Sequence, residues 1–142
     1  FILTKINSIF VSKIFLPKGY NLDKLFEVFF PFQDIVNHKK YGNNYDYNKS
    51  IFLMGNNKLV ENGFLLMKED ESLQSPVSML FYEFYDDLEK VKDYIDKNAD
   101  LLQCVVSKED IVKKNTHFGE TQNPQLWDYA DNVDTIEFLS SL

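Results

Sequence analysis

The stretch VSMLFYEFYDDLEKVKDYIDKNADLLQCVVS, residues 77–107, predicts the central part of the fold. Residues 77–85 are almost continuously apolar or aromatic, which is typical of a strand that helices cover on both faces. Asp86 and Glu89 have the spacing of a capping box, so a helix is predicted to begin there. Residues 101–107 then predict a second buried strand.

The helix between these strands has one apolar side. Leu88, Val91 and Ile95 form that side, and Asn98 can end the helix. A strand, a helix and a second strand in this order predict a βαβ unit. We therefore expect an α/β fold, with a mixed or parallel sheet flanked by helices.

Further elements are predicted on both sides of this unit. The predicted strands are residues 10–16, 63–67 and a closing strand at 134–139. One helix is predicted from Leu22 to Phe30, capped by Asn21 and ended by Pro31. A short helix is predicted over residues 45–54, with Tyr47, Ile51 and Met54 on one face, followed by a turn at residues 55–57.

The composition indicates a globular protein that does not bind nucleic acid. The 142 residues carry 22 acidic and 15 basic side chains, a net charge of −7, whereas phosphate backbones require a basic surface. A single cysteine cannot form an internal disulfide, and no apolar run is long enough to span a membrane, so a cytoplasmic location is expected. The 13 Phe and 8 Tyr are a large aromatic content for one domain. We expect some of them to contact a missing N-terminal half or a sister subunit.

Few residues are candidates for metal binding or nucleophilic chemistry. His38 and His117 are far apart, and no C-x-x-C or H-E-x-x-H spacing occurs, so we expect no metal site. Cys104 could be imagined as a nucleophile. Its apolar neighbours, among them Val105, instead predict a buried strand, and a structural role is favoured.

Two polar segments leave alternatives open. The segment 38–40 (HKK) stands beside Tyr41, Tyr45 and Tyr47 and could bind a phosphate or an adenine ring, but an exposed helix end over packed tyrosines is favoured. The acidic run 69–71 could accept hydrogen bonds from ribose hydroxyls, although its local sequence favours an exposed loop. No glycine-rich phosphate loop occurs, so the main phosphate-binding segment for any dinucleotide would lie elsewhere.

Several stretches together resemble the bacterial acyl-CoA reductase family, the LuxC-like members of the aldehyde dehydrogenase superfamily. They are VSKIFLPKGY (11–20), NHKKYGNNYDYNK (37–49), ENGFLLMKEDESLQSPVSMLFYEFYDDLE (61–89), LLQCVVS (101–107) and FGETQNPQLWDYADNVDTIEFL (118–139). The resemblance implies that residues 11–142 are the C-terminal part of an aldehyde-dehydrogenase-like catalytic region. Residues 1–10 do not match the family.

The resemblance also implies a reaction. In this family a cysteine thiolate attacks an acyl-CoA or other acyl thioester, coenzyme A leaves, and NADPH delivers a hydride that releases an aldehyde. Glu71 is the nearest match to the glutamate that contacts the nicotinamide ribose, and Phe118 and Gly119 resemble the substrate-side loop. Ser8 falls near the position expected for the cysteine, so no catalytic residue is assigned.

These departures predict an inactive piece of a reductase. The chain begins with Phe1 instead of Met and lacks the cofactor-binding half, so we expect a truncated or frame-disrupted reading frame that holds no NADPH alone. The alternative is a stand-alone acidic module that binds a protein partner.

Overall fold

A computed structural model describes residues 2–5, 11–112, 115–121, 123, 125, 126, 129 and 133–141. The strands are β1 (Ile2–Lys5), β2 (Lys13–Pro17), β3 (Val60–Glu61), β4 (Leu66–Glu69), β5 (Met79–Tyr85), β6 (Cys104–Val106) and β7 (Asn115–Thr116). The helices are α1 (Leu22–Phe29), α2 (Lys39–Met54), α3 (Leu88–Lys97) and α4 (Thr135–Ser140). Two 3₁₀ segments, Phe30–Asn37 and Ala99–Leu101, follow α1 and α3.

Within the described residues, the strands form one mixed sheet in the order β3-β4-β5-β2-β1-β6-β7. The pairs β4–β5, β5–β2 and β6–β7 are parallel, whereas β1 is antiparallel to both of its neighbours. As a result β4, β5, β2, β6 and β7 all point the same way, and their C-terminal ends meet at one edge. We call this the carboxyl edge. The chain is thus an α/β protein with a mixed sheet, as predicted.

Helices cover both faces of the sheet. On one face, Tyr45 of α2 packs against Leu66 and Phe81, and Val91 and Ile95 of α3 pack beside them over the strands from β2 to β6. On the other face, Leu25 of α1 lies over a cluster formed by Ile14, Leu16, Met67, Leu80 and Tyr82. This two-sided cover explains why β5 is almost continuously apolar.

The predicted βαβ unit is present. β5 leads through α3 to β6, which runs parallel to it, but β2 and β1 lie between the two strands. The predicted inner face of α3 and its end at Asn98 are confirmed. The N-cap is Asp87 instead of Asp86, because the Asp87 carboxylate accepts the backbone N–H of Glu89 at 3.0 Å.

The prediction for α2 was wrong in its start, and the apolar face that it named is not the face that the structure buries. The helix begins at Lys39 and buries Tyr41, Tyr45 and Asn48, whereas Tyr47 and Met54 are exposed. The buried residues carry polar atoms that reach backbone and side-chain acceptors on neighbouring strands and loops. The Tyr41 hydroxyl, for example, donates to the Phe64 carbonyl at 2.9 Å. Hydropathy alone therefore selected the wrong side of the helix.

The predicted closing strand at residues 134–139 is instead the helix α4. The Asp134 carboxylate accepts the backbone N–H groups of Ile136 and Glu137, both at 3.0 Å, which is the geometry of a helix N-cap. The helix α1 ends just before Pro31, as predicted, and the chain continues as a 3₁₀ segment in which a proline near the first position needs no amide donor.

The remaining predicted elements are found with shifted bounds. The strand expected at residues 63–67 begins only at Leu66, because Gly63 adopts a φ of +91° in a turn that the Asn62 side chain stabilises. The strand expected at residues 101–107 is reduced to Cys104–Val106, since a 3₁₀ turn occupies its start.

Candidate functional site at the carboxyl edge

The acidic loop, Glu69–Asp70–Glu71, leaves β4 at the carboxyl edge. The backbone N–H of Asp70 donates to the Tyr82 carbonyl at 3.1 Å, so the loop stays attached to β5 beyond the end of β4. Glu71 is exposed. In open α/β sheets, ligands bind outside the carboxyl ends of the strands, which makes this loop the first place to look for a site.

A buried lysine anchors the acidic loop. Lys13 lies on β2 with its side chain fully buried. Its ammonium donates to the Asp70 carbonyl at 3.0 Å, the Glu71 carbonyl at 2.8 Å and a Glu83 carboxylate oxygen at 2.8 Å. An ammonium has three donor hydrogens, so these bonds satisfy it completely. Burying an ammonium without hydrogen-bond partners would be costly in free energy. Lys13 therefore keeps these three partners and holds the loop against the centre of the sheet.

Tyr94 of α3 provides a second anchor at the same atom. Its hydroxyl donates to the Glu71 carbonyl at 2.8 Å. Burial, together with the nearby Glu83 and Glu71 carboxylates, raises the pKa of Tyr94, so the hydroxyl keeps its proton and remains a donor. The Lys13 ammonium also lies over the Tyr94 ring, 5.2 Å from its centroid. The Glu71 backbone is therefore held from β2 and from α3 at once.

A second ion pair fixes the shape of the loop itself. The Lys68 ammonium bonds the Asp70 carboxylate, which also accepts the Ser72 backbone N–H at 2.8 Å. Burial alone would raise the pKa of Asp70, but the hydrogen bonds from Lys68 and Ser72 outweigh it and lower the pKa to about 2. Asp70 is thus charged at neutral pH, and its role is to hold the loop.

The arrangement presents the Glu71 carboxylate on a fixed backbone. Lys13 and Tyr94 bind the main chain of Glu71 and leave its exposed side chain available to a ligand. A carboxylate accepts hydrogen bonds and can take two from neighbouring hydroxyls. Fixing its backbone in advance reduces the entropy lost on binding. No group of His, Cys, Asp and Glu side chains suited to a metal ion occurs in the described part of the chain.

Phe118 and Gly119 lie at the same edge of the sheet as the acidic loop. They follow β7, which points the same way as β4, and both are exposed. Three strand intervals separate β7 from β2, whose Lys13 holds the Glu71 main chain, and this corresponds to about 14 Å at a spacing near 4.8 Å. The fold therefore places the two predicted positions at the same edge of the sheet, beside strands that are not neighbours.

Ser8 lies outside the described residues. The described neighbours on either side, Lys5 and Val11, lie at the N-terminal end of β2, where the Ser12 N–H donates to the Thr4 carbonyl at 3.0 Å. Glu71 lies at the opposite end of that strand.

Cys104 is on a strand, as predicted, but it is half-buried instead of fully buried. Its Sγ lies 3.3 Å from the Thr116 hydroxyl on β7, within hydrogen-bond distance. Beyond this contact, His117 pairs with Asp110 at 3.5 Å on the exposed surface. The two side chains have different partners, Asp110 for His117 and Thr116 for Cys104.

The basic segment 38–40 is an exposed helix end, as favoured from the sequence. His38 is the N-cap of α2, and Lys39 and Lys40 occupy its first turn on the surface. Two of the three nearby tyrosines are packed: Tyr41 and Tyr45 are buried, and burial raises the pKa of each. Tyr47 is exposed on another side of the helix.

Sequence reasoning missed the residues that build the anchor. Lys13, Glu83 and Tyr94 come from three elements that are distant along the chain. One signal was available, because Lys13 is the only charged residue in the otherwise apolar run VSKIFL. A charge inside a buried strand requires partners, so this lysine indicates a buried polar contact without naming its partners.

No protein-family model, curated protein or solved structure matches the chain. The chain is classed by its fold as an α/β protein with a mixed, helix-covered sheet. Among the described residues, no helix has both the length and the apolar character needed to cross a bilayer.

Proposed function

We propose that the chain is the C-terminal part of an NADPH-dependent reductase of acyl thioesters, and that its acidic loop contacts the cofactor. In this proposal the Glu71 carboxylate accepts hydrogen bonds from ribose hydroxyls. Another segment supplies the cysteine and binds the phosphates, because the sequence offers no glycine-rich loop for that task. An acyl-CoA or a related thioester is the substrate.

The observation that carries this proposal is the convergence of two donors on one carbonyl. Lys13 and Tyr94 both donate to the Glu71 carbonyl at 2.8 Å, although they come from two different elements, β2 and α3. An ordinary exposed acidic loop needs no such anchor, whereas a ligand-binding carboxylate gains affinity from a fixed backbone. The carboxyl edge is also where ligands of open α/β sheets bind.

The first test is to read the DNA upstream of the codon for Phe1. An in-frame or frame-shifted extension that encodes a glycine-rich segment and a cysteine supports the proposal. A start codon close to Phe1, with no such extension, contradicts it.

The second test uses the chain together with the polypeptide encoded upstream. NADPH oxidation on adding an acyl-CoA is expected with the pair and not with either part alone. Glu71→Gln should slow hydride transfer about tenfold or more, as the loss of a charged hydrogen bond implies. Acylation of the cysteine, followed by mass spectrometry, should be unaffected.

Glu69→Gln is the matched control, because it removes the same charge two residues away. Successive side chains of a strand point to opposite faces of the sheet. Lys68 lies on the face of Phe81, with its ammonium over that ring, so the next residue, Glu69, points to the other face. It should leave hydride transfer unchanged. If acylation is lost and the hydride step is intact in Glu71→Gln, the acidic loop does not serve the cofactor.

A protein-binding module is the second candidate function. The observation in its favour is the number of large apolar side chains exposed on α1 and the 3₁₀ segment after it, including Phe30 and Phe32. Failure of both reductase tests, with retained binding to a second polypeptide, would favour this alternative.

A further inference from the structure

The cover of the sheet has an opening over the carboxyl end of β5. This strand has neighbours on both sides and helices on both faces, yet the Glu83 side chain is 40% exposed. Glu83 pairs in register with Phe15, which packs in the core under α3, so the Glu83 side chain lies on the face that α3 covers. Solvent therefore reaches this face of β5 where the acidic loop meets Tyr94 of α3.

The strand order places a topological switch point at the same strand. β2 and β5 are parallel neighbours, but β2 leads to α1 and β5 leads to α3. Leu25 of α1 packs on one face of the sheet, and Val91 of α3 packs on the other. Where neighbouring strands lead to opposite faces in this way, ligands of open α/β sheets bind in the crevice beyond the carboxyl ends. The opening at Glu83 therefore lies next to a position where the fold itself favours a ligand.

Lys13 fixes one oxygen of the Glu83 carboxylate beside Glu71. The ammonium donates to Glu83 Oε2 and to the Glu71 carbonyl, both at 2.8 Å. Besides burial, the Glu83 and Glu71 carboxylates raise the pKa of Tyr94, as expected where both side chains lie close to one hydroxyl. A carboxylate has two acceptor oxygens, so Glu83 can bind Lys13 with Oε2 and accept a ligand donor with Oε1.

The charges around this opening favour a neutral hydroxyl donor over an anion. The loops that follow β2, β4 and β5 carry one basic residue, Lys18, and four acidic residues, Asp70, Glu71, Asp86 and Asp87. The nearby strand lysines Lys13 and Lys68 are already bonded to the carboxylates of Glu83 and Asp70. Two adjacent carboxylates suit a group with two hydroxyls, because each hydroxyl donates one charge-assisted hydrogen bond.

We propose that Glu83 is a specificity-determining residue, which shares the two hydroxyls of one ribose with Glu71. This assignment rests on the proposed contact of Glu71 with a ribose. Each carboxylate accepts one hydroxyl. A phosphate on either hydroxyl replaces a donor with negatively charged acceptors, so the two carboxylates accept only a ribose whose hydroxyls are both unmodified. The adenosine ribose of NADPH, which carries a 2′-phosphate, is therefore excluded from this position.

Nucleosides that differ only in the sugar test this assignment on the full chain. The probes are adenosine, 2′-deoxyadenosine and adenosine 2′-monophosphate, and the readout is the NMR shift of the backbone amides of residues 70–72 and 83–85. Adenosine should shift these amides. The other two probes should bind about tenfold or more weakly, because each lacks one donor for a charged acceptor. Equal binding of the three probes, or no shift with adenosine up to its solubility, overturns the proposal.

Glu83→Gln should reverse the preference for the sugar. The Lys13 ammonium only donates, so the amide oxygen of the variant faces Lys13 and the amide NH₂ faces the ligand. Adenosine should therefore bind about tenfold more weakly, whereas adenosine 2′-monophosphate should bind more tightly than it does to the original chain. A residue that only held the acidic loop in place would weaken all three probes alike. That outcome overturns the proposal.

Glu27→Gln is the matched control, because it removes the same charge from an exposed position on α1, which covers the other face of the sheet. It should leave the three affinities unchanged. The proposed function is tested separately by NADPH oxidation and by Glu71→Gln. Slower hydride transfer in Glu71→Gln, together with an unchanged sugar preference in Glu83→Gln, overturns the role of Glu83 alone. An absence of NADPH oxidation in the assembled pair contradicts the proposed function itself.

Discussion

Lys13 links three parts of the chain through one fully buried ammonium. Its partners are the carbonyls of Asp70 and Glu71 and the carboxylate of Glu83. Replacing one member of a buried charged group leaves the other members without partners, and this costs more than the interaction itself contributes. Lys13 therefore determines the conformation of the acidic loop as well as the stability of the sheet centre.

We predict that Lys13→Met lowers the free energy of unfolding by about 2 kcal/mol. The estimate is below the usual cost for a buried pair because the Glu83 side chain is 40% exposed and water can solvate it. Methionine keeps most of the length of the side chain, so the loss reports mainly the hydrogen bonds. Urea unfolding gives the energy, and amide exchange should become faster in residues 70–78.

Lys90→Met is the control for this substitution. Lys90 is paired with Asp86 at 3.9 Å on an exposed helix surface, and such pairs contribute little. Its stability should stay within about 0.5 kcal/mol of the original chain. Equal effects of the two substitutions would contradict the anchoring role of Lys13.

At the scale of elements, the contact between α2 and the preceding 3₁₀ segment depends on a glycine. A Cβ built at Gly42 would lie 2.5 Å from the Val36 carbonyl oxygen, a backbone atom that cannot move aside easily. The Gly42 N–H donates to the carbonyl of the N-cap His38 at 2.9 Å, which is the first helical hydrogen bond of α2. The glycine thus permits the close approach of two consecutive elements.

Gly42→Ala should lower the free energy of unfolding by about 1–2 kcal/mol. Alanine has the higher helix propensity, but the clash of its methyl group with the Val36 carbonyl outweighs that gain. Asn43→Ala, at the exposed neighbouring position, should be neutral or slightly stabilising. Thermal unfolding of the two variants compares them directly. A Gly42→Ala variant that is more stable than the original chain would show that the approach is not tight.

At the scale of the whole molecule, the first strand occupies a central position. β1 joins β2 to β6, and these pairings connect the part of the sheet under α2 with the part formed by β6 and β7. Ile2 and Thr4 are almost completely buried. Without β1, the strands β6 and β7 lose the backbone hydrogen bonds that join them to the rest of the sheet.

Deletion of residues 1–5 should therefore abolish cooperative unfolding or prevent folding. Deletion of residues 133–142 should change the free energy of unfolding by no more than about 1 kcal/mol, because the described residues there bury little surface. Circular dichroism with urea titration compares the two truncations. A cooperative transition that survives the first deletion would contradict the central role of β1.

The sequence by itself determined those elements whose signals are local. The strand predicted at residues 77–85 and found at 79–85, the helix with Val91 and Ile95 inside and the end at Asn98 follow from hydropathy, spacing and capping within a few residues. Locally ambiguous segments were predicted less well. The alternation at residues 134–139 fits a strand, but the Asp134 side chain caps a helix there.

Only the tertiary structure decided the strand order and the anchored loop. The pairing of Lys13 with Phe81 and of Thr4 with Val105 joins segments that are distant along the chain, and many registers satisfy the same apolar pattern. The three hydrogen bonds of Lys13 exist only after those strands have assembled. A charged residue within an apolar strand indicates that it needs hydrogen-bond partners. The assembled sheet determines which carbonyls and carboxylates those partners are.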